Sequence, residues 1–193
     1  MEIEKRILCI GDSNTWGYDP RSFLGSRYET GIPWTDRLSR DGWHVLNAGQ
    51  NGRAIPRRRE FSDLGALLHR SMPLDAAAVM LGTNDLLQGS SAPETAGRMK
   101  EFLSFLSAPL DGTALLLIAP PPFMLGAWVT DADLIRKSED LAEEYRSLAE
   151  QLSILFADAG EWGVGLAFDG VHFTPEGHAA FARGLEKRLG ELL

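Results

Sequence analysis

The chain has 193 residues, 44% hydrophobic and 24% charged, which is the profile of one globular domain with a core of its own. Its formal net charge of −8 argues against nucleic acid and anionic membrane as non-specific partners, because both are polyanions. No stretch reaches the roughly 20 apolar residues that cross a bilayer, and residues 1–6 are too charged for a signal peptide, so a cytoplasmic protein without a transmembrane segment is expected.

Residues 6–10 form the first predicted strand, a short apolar run that empties into Gly11-Asp12-Ser13-Asn14-Thr15-Trp16-Gly17. Gly11 suits a tight turn. Ser13 follows at a strand's carboxyl end, where a hydroxyl faces the crevice at the edge of a parallel sheet. If a helix begins there, its unpaired N–H groups face any negative charge that develops near that hydroxyl. Asp12 and Ser13 suit plain helix caps equally well. Cys9 is the only cysteine, so no internal disulfide can form; with no Cys/His cluster a thiolate metal site is not expected. Trp16 and Tyr18 stand close enough to Ser13 either to wall a pocket or simply to pack.

Pro33 opens a helix that runs to residue 40. The second strand, residues 43–47, leads into Asn47-Ala48-Gly49-Gln50-Asn51-Gly52, a turn whose Gly52 N–H is a candidate donor. Arg53, Arg57, Arg58 and Arg59 crowd the stretch after it, where Pro56 announces another helix. A subunit contact, a carboxylate-bearing substrate and a solvated face each account for them. Residues 76–81 form the third strand, and Leu81-Gly82-Thr83-Asn84-Asp85 follows with the Asn84 amide as a second donor. Residues 94–106 put Met99, Phe102, Leu103 and Leu106 on one helical face.

The fourth strand, residues 114–119, runs into Pro120-Pro121-Pro122. The apolar residues 123–129, with Trp128, read either as a lid on the crevice or as a subunit contact and hence a homo-oligomer. A helix over 133–152 aligns Leu134, Leu141, Tyr145, Leu148 and Leu152, and residues 154–157 form the fifth strand. Asp169-Gly170-Val171-His172 stands just before the last helix, which Thr174 caps, Pro175 opens, and Phe181, Leu185 and Leu189 turn inward. His44, His69 and His178 have no motif around them and read as structural.

This alternation implies the α/β class: a flavodoxin-like, three-layer α/β/α sandwich around a five-stranded parallel sheet, in a single domain over residues 1–193. In such a sheet Ser13, Gly52 and Asn84 reach one edge. A serine hydroxyl is a poor nucleophile at neutral pH and needs a base, which in turn needs an acceptor to fix its tautomer. His172 and Asp169 supply both. Gly52 and Asn84 then suit the oxyanion of an acyl-transfer transition state.

The four segments, in this order between Ile7 and His178, resemble the four sequence blocks of the SGNH hydrolases, also called the GDSL esterase and lipase family. The stretch from Gly11 to Gly17 is nearest in pattern to the arylesterase and acyltransferase branch. The resemblance implies Ser13 as nucleophile and first oxyanion donor, Gly52 and Asn84 as the other donors, His172 as base and Asp169 as its orienting acid. It implies no metal and no organic cofactor, since the chain supplies every group. Asn14 departs from the pattern, standing where the family name has leucine, and bears on subfamily and substrate.

The implied activity is hydrolysis of carboxylic esters of short acyl chains through an acyl-serine, with a small-molecule ester as partner and Trp16, Tyr18 and Trp128 as candidate pocket walls. Transfer to an alcohol, deacetylation of a carbohydrate, and lysophospholipase-like or thioesterase-like activity use the same machinery. From a different class come a non-catalytic binding descendant of the fold, which has no need to retain Ser13, Asn84, Asp169 and His172 together, and nucleotide binding by strand-end loops rich in Gly, Ser and Asn. Neither G-x-G-x-x-G nor G-x-x-x-x-G-K-[ST] is present, which disfavours that reading.

Overall fold

The computed structural model describes residues 5–22, 24–40 and 43–193; residues 1–4, most of the charged N-terminal segment read above, lie outside it. A five-stranded parallel sheet in the order β2-β1-β3-β4-β5 forms its centre. The strands are β1 (Lys5–Gly11), β2 (Trp43–Gly49), β3 (Ala76–Met80), β4 (Ala114–Ala119) and β5 (Leu155–Asp158). The inner strands are apolar at successive positions because both faces are covered. Along β1, Leu8 and Ile10 enter one core while Ile7 and Cys9 enter the other, and β3 repeats this with Ala77 and Val79 against Ala78 and Met80. Burial pushes the Cys9 thiol up to about 12, as befits a small core residue.

Helices α3 (Phe61–Ser71), α5 (Ala92–Ser107) and α6 (Ala132–Leu152) cover the first face; α2 (Trp34–Arg40) and α7 (Pro175–Gly190) cover the second. This is the predicted three-layer sandwich. Local chemistry sets the helix ends. The Ser91 hydroxyl accepts from the Glu94 N–H while the Glu94 carboxylate accepts from the Ser91 N–H, so α5 starts two residues before the predicted 94. Thr174 Oγ1 caps α7 by accepting from the Gly177 N–H at 3.0 Å.

Two single-turn helices, α1 (Ser13–Trp16) and α4 (Thr83–Leu87), are too short to leave a periodic signal. Strand β2 continues past the predicted residue 47, because Ala48 and Gly49 still pair with Ile10 and Gly11. From β1 the chain moves outward to β2, then crosses back to β3 on the other side. The crevice of such a sheet opens at the carboxyl ends where the order reverses, and here β1 and β3 end in α1 and α4. Gly11 corrects one expectation: it lies within β1, and a Cβ there would stand 2.0 Å from Thr15 Oγ1. Its small size serves the close approach of α1 to the strand, not a tight turn.

Candidate active site

Asp12 caps α1, its Oδ1 accepting from the Asn14 N–H at 2.9 Å, and Ser13 is the first helical residue. The capping and functional readings therefore fall on different side chains, and the Ser13 hydroxyl is left to reach across the crevice. Its Oγ lies 3.0 Å from His172 Nε2, and His172 Nδ1 lies 2.7 Å from Asp169 Oδ2. Asp169 Oδ1 accepts the N–H groups of Val171 and His172, each at 2.9 Å. All three residues are buried. Burial raises the Asp169 carboxyl, but the bonds from the imidazole and the two backbone N–H groups outweigh it and hold the group below the usual carboxylate range. An ionised Asp169 keeps the proton on Nδ1 and turns the Nε2 lone pair toward the serine.

Asn14 holds this loop in place, a role the sequence did not disclose. Its Nδ2 donates to the Val171 carbonyl at 3.1 Å and its Oδ1 accepts from the Phe173 N–H at 3.0 Å, so α1 grips the main chain on both sides of His172. The departure from leucine was the available clue. Its partner lies 157 residues away, beyond the reach of local pattern.

Residues 123–129, read above as lid or subunit contact, brace the same loop. The N–H groups of Met124, Ala127 and Trp128 donate to the carbonyls of Gly170, Phe168 and Asp169 at 3.0 to 3.1 Å. Gly126 and Gly170 permit this approach: a Cβ on Gly126 would meet the Asp169 carbonyl carbon at 2.5 Å, and one on Gly170 the Met124 oxygen at 2.1 Å. Tyr18 and Trp128 flank the His172 ring, with centroids at 4.6 and 5.0 Å. The backbone of Trp16 packs on Gly49 of β2, and its carbonyl accepts from Arg27 Nε. Trp128, Leu125 and Phe168 stay exposed as an apolar lip.

The strand order puts the turn of Gly52 after β2 and the helix of Asn84 after β3, one on each side of β1. Gly52 has φ of 71°, which favours glycine. Asn84 Nδ2 donates to the Arg53 carbonyl at 3.0 Å, tying α4 to the turn. The buried Asp85 carboxylate accepts from the Ile55 N–H at 2.9 Å and from Arg98 Nη1 at 3.0 Å. Arg53 donates to the carbonyls of Gly11 and Ala48 and to Gln50 Oε1, and burial lowers its pKa. Of the four predicted arginines, Arg53 thus builds the turn and Arg58 reaches Glu101 at 3.7 Å on the surface.

Among the described residues Asp12 Oδ2 is buried with no well-formed hydrogen bond, the Thr83 hydroxyl exerting only a minor pull on the carboxyl. Burial pushes this carboxyl up to about 6, against the pull of the Asn14 N–H and of His172. His178 is structural, as predicted: its Nδ1 accepts from the Trp34 N–H, its ring lies against Tyr28 and Phe173, and burial with nearby Arg37 and Arg27 pushes it down to about 3. Among the described residues no group of three or more His, Cys, Asp or Glu is placed to hold a metal ion, and no helix is long and apolar enough to cross a membrane.

The chain is similar over nearly its whole length to several solved structures. The M. smegmatis aryl esterase shares 27% identity over 98% of this chain and 100% of its own, with a TM-score of 0.86. Est24, a carbohydrate acetylesterase from Sinorhizobium meliloti, shares 25% over 98% and 100%, with a TM-score of 0.84. A carbohydrate acetylesterase family member from the same organism shares 31% over 97% and 98%, with a TM-score of 0.82. The comparison with curated proteins found no match. The family model described as GDSL-like Lipase/Acylhydrolase matches residues 9–180, from within the strand that leads to Ser13 into the helix that follows His172, and the chain belongs to that family.

Proposed function

We propose that this acylhydrolase is a serine esterase that cleaves carboxylic esters of short acyl chains through an acyl-Ser13 intermediate. The observation that carries the reading is the buried chain from Ser13 Oγ through His172 to Asp169, with links of 3.0 and 2.7 Å. Ser13 Oγ attacks the ester carbonyl carbon as its proton passes to His172 Nε2. The carbonyl electron pair moves onto the oxygen, where the Ser13 and Gly52 N–H groups and the Asn84 amide stabilise it. Collapse of this adduct breaks the bond to the alcohol, which takes the proton from His172. Water then gives a proton to His172, adds to the acyl-serine carbonyl, and releases the acid while the proton returns to Ser13. An alcohol in place of water gives acyl transfer. Asp169 stabilises the imidazolium each time it forms.

Tyr18 and Trp128 narrow the space beside His172, and Trp16 remains a candidate wall. A methylene that fits badly costs about 1 to 3 kcal/mol, so kcat/KM falls steeply from acetyl to octanoyl esters. Deacetylation of a carbohydrate is the second reading, favoured by the likeness to the Sinorhizobium meliloti enzymes. One experiment tests the assignment: Ser13→Ala stays folded and loses roughly 10⁴-fold or more of kcat on p-nitrophenyl acetate, and a fluorophosphonate labels Ser13 in the parent. Near-parental turnover, or an adduct that mass spectrometry finds on another serine, overturns it.

A further inference from the structure

Three side chains that this chemistry leaves unused gather beside the turn of Gly52. Arg57, Arg59 and Arg70 are exposed, and none of their side chains makes a hydrogen bond or ion pair among the described residues. They line one cavity of about 700 Å³, and Gly52 lines it too. The lining is mainly polar; the half-buried Leu67 adds an apolar patch, with Ile55 and Leu64 buried beneath it in the core.

Several other charges in this cavity are already engaged. Arg53 is held by main-chain carbonyls, and Arg98 by Asp85 and Ser90. Asp85 is taken by Arg98 and the Ile55 N–H, and Glu60 accepts the Arg57 N–H at 2.9 Å. The Arg57 N–H leaves the Glu60 charge in place, so Glu60 and Asp63 both face the three unpaired guanidinium groups, and over the whole lining five arginines stand against three carboxylates. In a chain of net charge −8 this surplus runs against the overall balance. A guanidinium presents its donors in a fork that matches carboxylate and phosphate oxygens.

We propose that this cavity receives a second, anionic group borne by the ester substrate, a carboxylate or a phosphate set a few bonds from the scissile carbonyl. The inference rests on the reading of Ser13 and Gly52 given above. Leu67 and the methylene stems of the arginines border the intervening carbons, and the Arg57, Arg59 and Arg70 guanidinium groups take the anion. Neutral chains of that length gain nothing from the arginines, so the preference for short neutral acyl groups and the acceptance of longer charged ones belong to one site. Three solvent-screened contacts, each of the strength of a surface ion pair, together give about a tenfold preference.

The test compares monoethyl succinate, glutarate and adipate with ethyl butyrate, valerate and hexanoate, matched carbon for carbon. On the alcohol side, 4-acetoxybenzoate and 4-acetoxyphenyl phosphate are compared with phenyl acetate, which also separates carboxylate from phosphate. At least one anionic ester is expected to exceed its neutral counterpart about tenfold in kcat/KM at low salt. That preference shrinks at high ionic strength and falls to about one in Arg59→Gln/Arg70→Gln, whereas Arg136→Gln on α6 retains it. Neutral esters turned over with no anionic preference, or a preference untouched by the double variant, overturns the pocket and leaves the esterase reading standing. Calorimetry on Ser13→Ala then reads binding apart from turnover, using the preferred anionic ester, or monoethyl adipate if none is cleaved. Binding weakened about tenfold by the two arginine changes supports the pocket; absent or unaffected binding overturns it.

Discussion

Asp12 carries the plainest conflict at the level of single residues. One oxygen caps α1, while the other is buried with no well-formed hydrogen bond among the described residues. Because its carboxyl sits near 6 against an ordinary 3.8, the folded protein binds this proton more tightly than the unfolded chain does between those values. Stability therefore falls as pH rises through that window and stays lower above it, by about 3 kcal/mol. Asp12→Asn keeps a cap acceptor and removes the charge. Urea titrations are expected to find it more stable than the parent by up to about 3 kcal/mol at pH 7 and equal to it below about pH 4; a less stable variant at pH 7 contradicts this account. That Ser13, His172 and Asp169 come together was legible in the sequence, because the proposed acyl transfer demands those residue types and a strand end announces the first of them. Asn14 and the second, buried Asp12 oxygen were not, since their meaning depends on what folds against them.

At the level of elements, Asp169 and His172, the proposed acid and base, lie outside regular structure and are steadied from two sides. Asn14 of α1 holds the main chain around His172, and residues 123–129 hold that of 168–170. Asn14→Ala leaves the Val171 carbonyl and the Phe173 N–H without their partners, each at a cost of about 1 to 3 kcal/mol. Displacement of His172 by a fraction of an ångström is then expected to lower kcat roughly 10- to 100-fold, with KM little changed and amide exchange over 169–173 accelerated. An unaltered kcat alongside faster exchange would separate the clamp from catalysis. Strands β1, β3 and β4 were readable as apolar runs because each is covered on both faces. Helices α1 and α4 span about one turn, which offers no period to read, and α3 was announced by Pro56 and the apolar pattern after it, without bounds. The brace runs through main-chain bonds, so its sole trace in the sequence is the pair Gly126 and Gly170, whose reason shows only in three dimensions.

For the molecule as a whole, the buried neutral His178 governs the response to acid. Its pKa is near 3 in the folded state against 6.5 ordinarily, so the unfolded chain takes up the proton first as pH falls. The stability that His178 contributes is complete above about 6.5 and lost progressively toward 3, amounting to about 5 kcal/mol. Asp169, held below its usual range, adds a loss of the same sign at lower pH. Asp12 works the other way between 6 and 3.8 and offsets part of it. His178→Gln, which retains an acceptor for the Trp34 N–H, is therefore expected to flatten stability between pH 6.5 and 4. Parallel pH profiles for the two proteins would assign the acid response elsewhere.

The bond between Ser13 and His172 joins residues 159 positions apart. Chains are made from the N-terminus at about 5–20 residues/s, so roughly 8 to 30 s pass between the synthesis of the serine and that of its base. Through that interval the nascent polypeptide carries a Ser13 hydroxyl without its imidazole partner, although β3, which covers the second edge of β1, is made before the interval is half over. The contact with His172 forms only once the segment around it has emerged and seated against α1, so a chain cut short before that point lacks the triad proposed above.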